Sequence, residues 1–255
     1  MSSEKQEQRT SVVDMHCHIL PGVDDGPETM EETMAVLREA QRQGIGAMIV
    51  TPHFHPGRYM VTAGRVMEVL RRVRLRMAEE GLNIRLIPGQ ECYYFSGLID
   101  ELEAGNVLTM AGTRIVLVEF ETETQFSTIS HAVRELCDSG YRPIVAHFER
   151  YRCLYQRKDR LEGLRNSGAL LQLNFDRLVD RGNILHPNGW RKLLKEGYVD
   201  FLGSDTHGMK LRPLHVGQAV EWLNKGVQPE LRKRILNDNI RMLQTRGSDK
   251  GSLKA

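Results

Sequence analysis

Seven short apolar segments rich in β-branched residues alternate with helical patterns along almost the whole chain. Runs of this length and composition are typical of buried strands, and their alternation with helices predicts a parallel sheet with helices packed outside it. No internal repeat and no linker rich in Pro, Gly or Ser interrupts the alternation, so one domain is the simplest organisation. The strand segments are VVDMH (12–16), AMIVTPH (47–53), IRLIPGQE (84–91), RIVLVEF (114–120), PIVAHFE (143–149), ALLQLNF (169–175) and VDFLGSD (199–205).

The helical patterns between these segments carry start and stop signals. Thr29 followed by Glu32 predicts a capping box, and glycines at positions 140, 168 and 197 suit helix ends. Helices are predicted over 61–80, 128–139, 159–167, 187–196, 215–225 and 229–244, with a short helix or turn within 95–105.

An open doubly wound sheet and a closed barrel share this local pattern. No Gly-x-Gly-x-x-Gly turn follows the first strand, which weakens the dinucleotide-binding version of the open sheet. The chain also lacks a P-loop, a Gly-x-Ser-x-Gly motif and the Cys-x5-Arg spacing of a cysteine-dependent phosphatase. The absence of these motifs argues against nucleotide binding and against covalent catalysis by serine or cysteine.

Composition limits which binding partners and which cellular compartment are expected for the protein. Thirty-five Lys and Arg residues balance 33 Asp and Glu residues, which gives no general reason to expect nucleic acid or an anionic membrane as a partner. No apolar run approaches the roughly 20 residues of a membrane span. The polar start MSSEKQEQRTS does not resemble an export signal, so the four cysteines are expected to be reduced thiols of a cytoplasmic protein.

Polar side chains with metal-ligand chemistry follow six of the seven strand segments. Catalytic residues of a barrel gather at the carboxyl ends of its strands, so these side chains are expected to meet. His16 and His18 lie two apart and face the same side of a strand, while Cys17 faces the other. The strand-end candidates are His16, His18, His53, Glu91, Glu119, His147, Asp205 and His207; only the sixth segment, which ends near Asn174, has no obvious ligand.

With Asp25 the set contains five imidazoles and four carboxylates, enough for two or three metal ions. Mixed nitrogen and oxygen donors without thiolate suit Mn, Fe or Zn better than Ca or Cu(I). Three divalent ions with four carboxylates leave a net charge of about +2, which would attract a phosphate dianion and favour a bridging hydroxide as the nucleophile.

The motifs "DMHCH", "TPHF", "GQE", "AHFERY" and "GSDTHG", in this order, resemble those of the polymerase and histidinol phosphatase (PHP) superfamily. Within it, "HILPGVDDGP", "TPHFHPGRY" and "AHFERY" resemble manganese-dependent protein-tyrosine phosphatases of bacterial capsule and exopolysaccharide operons. The resemblance runs from about residue 12 to residue 243. Phe54, Phe148 and the segment "EFETETQF" depart from the pattern without removing a ligand.

The resemblance implies an α/β fold, a distorted (β/α)7 barrel of the PHP type, with the nine candidates above holding three Mn²⁺ ions, or Fe or Zn. It also implies that Arg150 and Arg212 bind the substrate phosphate and that the substrate is the phosphorylated tail of a bacterial tyrosine kinase. A flexible extension (1–11), one phosphatase domain (12–244) and a flexible tail (245–255) are expected. We predict a cytoplasmic enzyme without nucleic-acid partners or membrane insertion.

Alternatives stay open at this point. A small-molecule phosphatase, such as one acting on histidinol phosphate, would use the same ligands, and a phosphodiesterase or nuclease would be expected to show a basic, aromatic-lined groove. A non-catalytic regulatory or metal-binding protein on the same barrel would have no need to keep both the complete ligand set and the two arginines. His55 is undecided between the vicinity of the metals and the loop surface. His131, His186 and His215 are expected at the surface, although the position of His215 after Arg212-Pro213 leaves the mouth of the barrel open for it.

Overall fold

The structure, a computed structural model, describes residues 12–180 and 189–243. The predicted terminal segments, 1–11 and 245–255, and His186 lie outside these residues, and the domain limits stay a prediction. The described strands are β1 (Val12–Cys17), β2 (Ile45–Val50), β3 (His53–His55), β4 (Tyr59–Met60), β5 (Arg85–Pro88), β6 (Glu91–Tyr93), β7 (Ile115–Glu119), β8 (Arg142–Val145), β9 (Leu170–Asn174) and β10 (Phe201–Gly203).

Two of the predicted strands are each split in the structure. β2 breaks at Pro52, which has no N–H to donate, and resumes as β3; β5 breaks at Gly89 and resumes as β6. Parallel pairing joins β1, β2 and β5 in one sheet, and β3, β6, β7, β8, β9 and β10 in another. The short β4 pairs antiparallel with β3 as the second strand of a hairpin.

Counting β2 with β3 and β5 with β6 as single strands, and leaving out the hairpin strand β4, the barrel has seven strands. It closes between β1 and the loop after β10. His18 N donates to Thr206 O at 2.9 Å, and Asp205 N donates to His16 O at 2.8 Å. Within the described residues β5 does not pair with β7, and the 3-10 turn Met110–Gly112 packs between these two strands. The predicted distorted (β/α)7 barrel is therefore confirmed, with its distortion at this opening.

The described helices are α1 (Met30–Arg42), α2 (Ala63–Glu79), α3 (Leu98–Glu103), α4 (Phe126–Asp138), α5 (Lys158–Asn166), α6 (Asp176–Val179), α7 (Gly189–Lys195), α8 (Val216–Gly226) and α9 (Pro229–Lys233). The predicted capping box is present: Thr29 Oγ1 accepts from Glu32 N, and the Glu32 carboxylate accepts from Thr29 N. Gly140 and Gly168 follow α4 and α5 with φ of 78° and 104°, which a residue with a Cβ adopts at a cost. None of the described helices has the length and apolar character needed to span a bilayer.

The prediction of one helix over 229–244 was wrong. An α-helix covers only Pro229–Lys233; a π-helical turn, Arg234–Asp238, and a 3-10 turn, Asn239–Leu243, follow it. The change of pitch accompanies burial of Asn239, whose side chain donates to Asp200 O at 2.5 Å. A tertiary hydrogen bond of this kind has no signature in the local sequence.

The strands separate two apolar layers, one outside the barrel and one inside it. The larger lies between the sheet and the helices, and Cys17 belongs to it. The smaller contains alternate residues of several strands, which places it inside the barrel, where Met110 and Leu243 join it from outside the sheet. Its strand members are Met15, Ile49, Ile115, Leu117, Ile144, Leu170 and Phe201.

Candidate active site

The structure brings all nine predicted ligands together at the carboxyl end of the barrel. Their nitrogen and oxygen atoms form three groups in which every ligand atom lies within 4.8 Å of the others. His147 joins through Glu91, since His147 Nε2 lies 2.8 Å from Glu91 Oε1. The groups are His18, Asp25, His53 and His207; His16, His18, Glu91 and Asp205; and His53, Glu91 and Glu119.

Glu91 lies at the centre of the set and is fully buried. Its Oε2 atom lies 3.2 Å from His16 Nε2, 3.1 Å from His18 Nε2 and 3.2 Å from His53 Nδ1. A carboxylate in contact with four imidazoles would share in holding any cation that these imidazoles bind.

Asp25 lies nearer to solvent than the other ligands in its group. Its Oδ1 atom is 3.4 Å from His53 Nε2 and 3.3 Å from His207 Nε2, and 37% of its side chain is exposed. An ion held by this group would be the one most open to water.

Irregular backbone aims several of these side chains. The pairing of β1 with β2 shifts register between Asp14 and Cys17, and such bulges re-aim side chains beside active sites. His147 and Asp205 have φ of 28° and 51°, unusual for residues with a Cβ. Gly203 is required near them, since a Cβ there would lie 2.5 Å from His16 Cβ.

Three residues that hold the ligands were missed in the sequence. Asp24 Oδ2 lies 2.8 Å from His18 Nδ1 and accepts from His53 N at 3.0 Å. Gln172 and Asn174 come from β9, the strand without a predicted ligand. The double Asp24-Asp25 was a readable signal for the first, whereas buried amides on a strand have no comparable signal.

Gln172 and Asn174 form a chain of hydrogen bonds with a fixed direction. Gln172 Oε1 accepts from His147 N at 2.8 Å and faces His16 Nδ1 at 3.0 Å, so His16 donates through Nδ1 and keeps the Nε2 lone pair free. Gln172 Nε2 then donates to Asn174 Oδ1 at 2.8 Å, and Asn174 Nδ2 donates to Asp205 Oδ2 at 3.2 Å. The chain sets the His16 tautomer that a metal requires.

The charges of the site depend on one another. Burial favours the neutral acid, but His16 and His147 hold the pKa of Glu91 well below its usual value. Burial opposes protonation of His53, yet Asp25 and Glu119 raise its pKa to about 11. Burial also opposes protonation of His18, but Asp24 and Glu91 outweigh it and raise the pKa of His18 to about 9. Metal binding must therefore displace protons from these imidazoles and is favoured as pH rises.

The donor set fits divalent metal ions. His16 Nε2 and His18 Nε2 lie 3.1 Å apart, a distance at which two lone pairs repel unless a proton or a cation lies between them. Both oxygens of the fully buried Glu91 face imidazole nitrogens at 2.8 to 3.2 Å, but among the described residues none of these contacts has the geometry of a hydrogen bond. A buried carboxylate without hydrogen bonds is costly, and a bound cation removes that cost.

Arg150 and Arg212 both reach the metal-ligand cluster. Arg150 Nη2 forms an ion pair with Asp205 Oδ2, and Arg212 Nη1 lies 3.2 Å from the same oxygen. Their side chains are 25% and 41% exposed, so each keeps N–H groups open to the cleft. Their predicted role in phosphate binding stays a prediction.

A cleft of about 240 Å³ opens above the cluster. Asp25, His53, Glu91, Glu119, His147, Asp205 and both arginines line its floor, and Arg58, Tyr59, Tyr93, Phe120 and Thr122 are among the other lining residues. His55 also lines it, which places this residue near the cluster rather than on a distant loop. His131 is exposed and His215 is partly buried at the start of α8.

The cysteines lie apart from this chemistry. All four are free, and Cys17 is fully buried, with Sγ donating to Ile49 O at 3.3 Å. Burial raises the pKa of Cys17 well above its usual value. A buried neutral thiol is a poor nucleophile, which agrees with the missing Cys-x5-Arg loop.

Comparison with known proteins agrees with this geometry. The model of the family described as capsular polysaccharide synthesis, CpsB/CapC, matches residues 12–244. The tyrosine-protein phosphatase YwqE of Bacillus subtilis is 30% identical over 91% of this chain and 91% of its own length. The tyrosine-protein phosphatase CpsB of Streptococcus agalactiae is 27% identical over 91% of this chain and 98% of its own length.

A solved structure from work on YwqE of Bacillus subtilis and CpsB of Streptococcus pneumoniae, described as metal-dependent tyrosine phosphatases, superimposes with a TM-score of 0.82. It is 30% identical and covers 91% of this chain and 93% of its own. The chain thus belongs to the CpsB/CapC family of capsular polysaccharide synthesis.

Proposed function

We propose that this protein is a metal-dependent protein-tyrosine phosphatase. The observation that carries the proposal is the convergence of nine nitrogen and oxygen ligands beneath one cleft, whose lining also contains two arginines. Relatives named tyrosine-protein phosphatases match over nine-tenths of the chain and support the same activity.

The roles of the residues follow from their chemistry. His16, His18, Asp25, His53, Glu91, Glu119, His147, Asp205 and His207 would hold the ions, which when bound would neutralise phosphoryl oxygens and activate water. Arg150 and Arg212 would bind and orient the phosphoryl group, since a guanidinium matches two of its oxygens. A phenolate leaving group, with a pKa near 10, departs without strong acid assistance, which suits phosphotyrosine.

The finer assignments are also proposals. We infer three Mn²⁺ ions, because the donors are imidazole and carboxylate and the set is large enough for three, although Fe or Zn would fit the same donors. We infer that the substrate is the phosphorylated tail of a bacterial tyrosine kinase controlling capsule or exopolysaccharide synthesis, and that the enzyme acts in the cytoplasm. The resemblance of the motifs supports the kinase, and the free cysteines suit a reducing compartment.

One side-by-side assay tests the activity. Protein depleted of metal and reloaded separately with Mn, Fe or Zn is given phosphotyrosine peptides, histidinol phosphate and a phosphodiester. We expect the phosphotyrosine peptides to have the highest kcat/KM. Preference for histidinol phosphate or for the diester would replace the proposal with a small-molecule phosphatase or a phosphodiesterase.

A further inference from the structure

We propose that His55 and Tyr93, here called the aromatic wall, contact the aromatic ring of the substrate and make the enzyme select aryl over alkyl phosphate monoesters. This inference rests on the proposed phosphatase function and assigns the selectivity to two side chains that are not among the predicted metal ligands.

Strand register places the aromatic wall directly beyond the ligands. β3 and β6 run parallel, with His53 paired to Glu91. Side chains two residues apart on a strand face the same way, so His55 follows His53 and Tyr93 follows Glu91 on the inward side. At about 3.3 Å per residue, the aromatic wall lies roughly 7 Å further along the strands than His53 and Glu91. Tyr93 pairs with Glu119, so the aromatic wall is level with the outermost of the strand ligands beside it. A phosphoryl group held by the metal ligands would therefore have its ester substituent at the level of these rings.

The two rings form a single surface. Their centroids lie 4.0 Å apart with an interplanar angle of 30°, and both residues are only partly buried. Both line the cleft that also contains His53 and Glu91. An aromatic pair that served packing alone would be buried, whereas this pair presents ring surface to the same space as the ligand atoms.

The chemistry of the pair favours an aryl group. Aromatic rings gain from offset or edge contacts with one another beyond the area that they bury, and an alkyl chain such as that of phosphoserine gains much less. The mutual ring contact of His55 and Tyr93 also restricts both side chains before substrate arrives. Less ordering is then required on binding.

Competitive inhibition separates ring recognition from leaving-group chemistry. Inhibition constants of phenylphosphonate and methylphosphonate are measured against para-nitrophenyl phosphate hydrolysis by the metal-loaded enzyme. We expect wild type to prefer the phenyl compound, and Tyr93→Ala to reduce that preference by roughly three- to tenfold. The inhibition constant of methylphosphonate and the metal content should stay close to wild type.

Matched variants keep the test decisive. Tyr93→Phe retains the ring and should retain the preference, whereas Tyr93→Leu retains bulk and should lose it. His55→Leu and His55→Phe repeat the comparison on the partner strand if the Tyr93 variants do not fold. An unchanged phenyl preference in the leucine variants, or equal weakening of both inhibitors, would overturn the aromatic wall. Wild type that hydrolyses no aryl phosphate would instead overturn the proposed function.

Discussion

The two ends of the barrel interior are built from the same strands but differ in chemistry: the amino end is apolar, and the carboxyl end holds the ligand cluster. Along β7, Ile115 and Leu117 face a dry interior and Glu119, two residues further, faces the ligand cluster. Along β9, buried Leu170 is followed by Gln172 and Asn174. Each strand thus changes from apolar to polar on one face without changing its period. The amino end should therefore determine stability, and the carboxyl end should determine metal binding and catalysis.

Glu91→Gln is expected to have the largest functional effect. The substitution removes the charge that three imidazoles contact at 3.1 to 3.2 Å and that a fourth contacts at 2.8 Å. We expect loss of metal and of nearly all phosphatase activity, measured by elemental analysis and a phosphotyrosine-peptide assay. A variant with full metal content and wild-type kcat/KM would remove Glu91 from the centre.

Leu117→Ala tests the opposite end. Leu117 is fully buried in the barrel interior, and truncating such a leucine costs about 2–5 kcal/mol of unfolding free energy. Denaturant unfolding should show this loss, while kcat/KM of the folded variant stays close to wild type. If Leu117→Ala lost metal without losing stability, the division between the two ends would be wrong.

Arg150→Ala should lower kcat/KM for a phosphotyrosine peptide by about ten- to a hundredfold. Hydrogen bonds to charged groups are worth about 1.5–3 kcal/mol. Arg150→Lys would not restore them fully, because a lysine cannot reproduce the guanidinium fork. Metal content should remain, although Asp205 loses an ion-pair partner. The alternative is a purely structural ion pair. A variant with a much lower melting temperature but unchanged kcat/KM would support that alternative.

Gln172→Leu should have the smallest effect of the four. It removes the acceptor that fixes His16 Nδ1 and breaks the chain that reaches Asp205. Loss of such outer hydrogen bonds typically weakens metal affinity by about ten- to a hundredfold, and we expect the lower part of that range. Competition with a chromophoric chelator measures it. Asn174→Leu interrupts the same chain of hydrogen bonds at its next residue and serves as the matched second variant. Unchanged metal affinity in both variants would show that these hydrogen bonds do not position the ligands.

The sequence predicted much of this arrangement, for identifiable reasons. Where inward residues keep a strict period of two, as in His53, Glu91 and Glu119, the strand ends could be read directly. The closed barrel came from the resemblance, because local alternation does not distinguish closed from open sheets. The wrong helix over 229–244 and the missed Gln172 have one cause. Both depend on tertiary hydrogen bonds, with Asp200 O in one case and with ligands from other strands in the other.

The central claim is that the carboxyl end of the barrel is a metal centre that carries the phosphatase activity. The most direct test measures metal equivalents and kcat/KM for a phosphotyrosine peptide on one sample during stepwise chelation and reloading with Mn²⁺. The account predicts more than one equivalent in the active protein, loss of activity as metal is removed and recovery on reloading. Full activity in protein shown to be free of metal would contradict it.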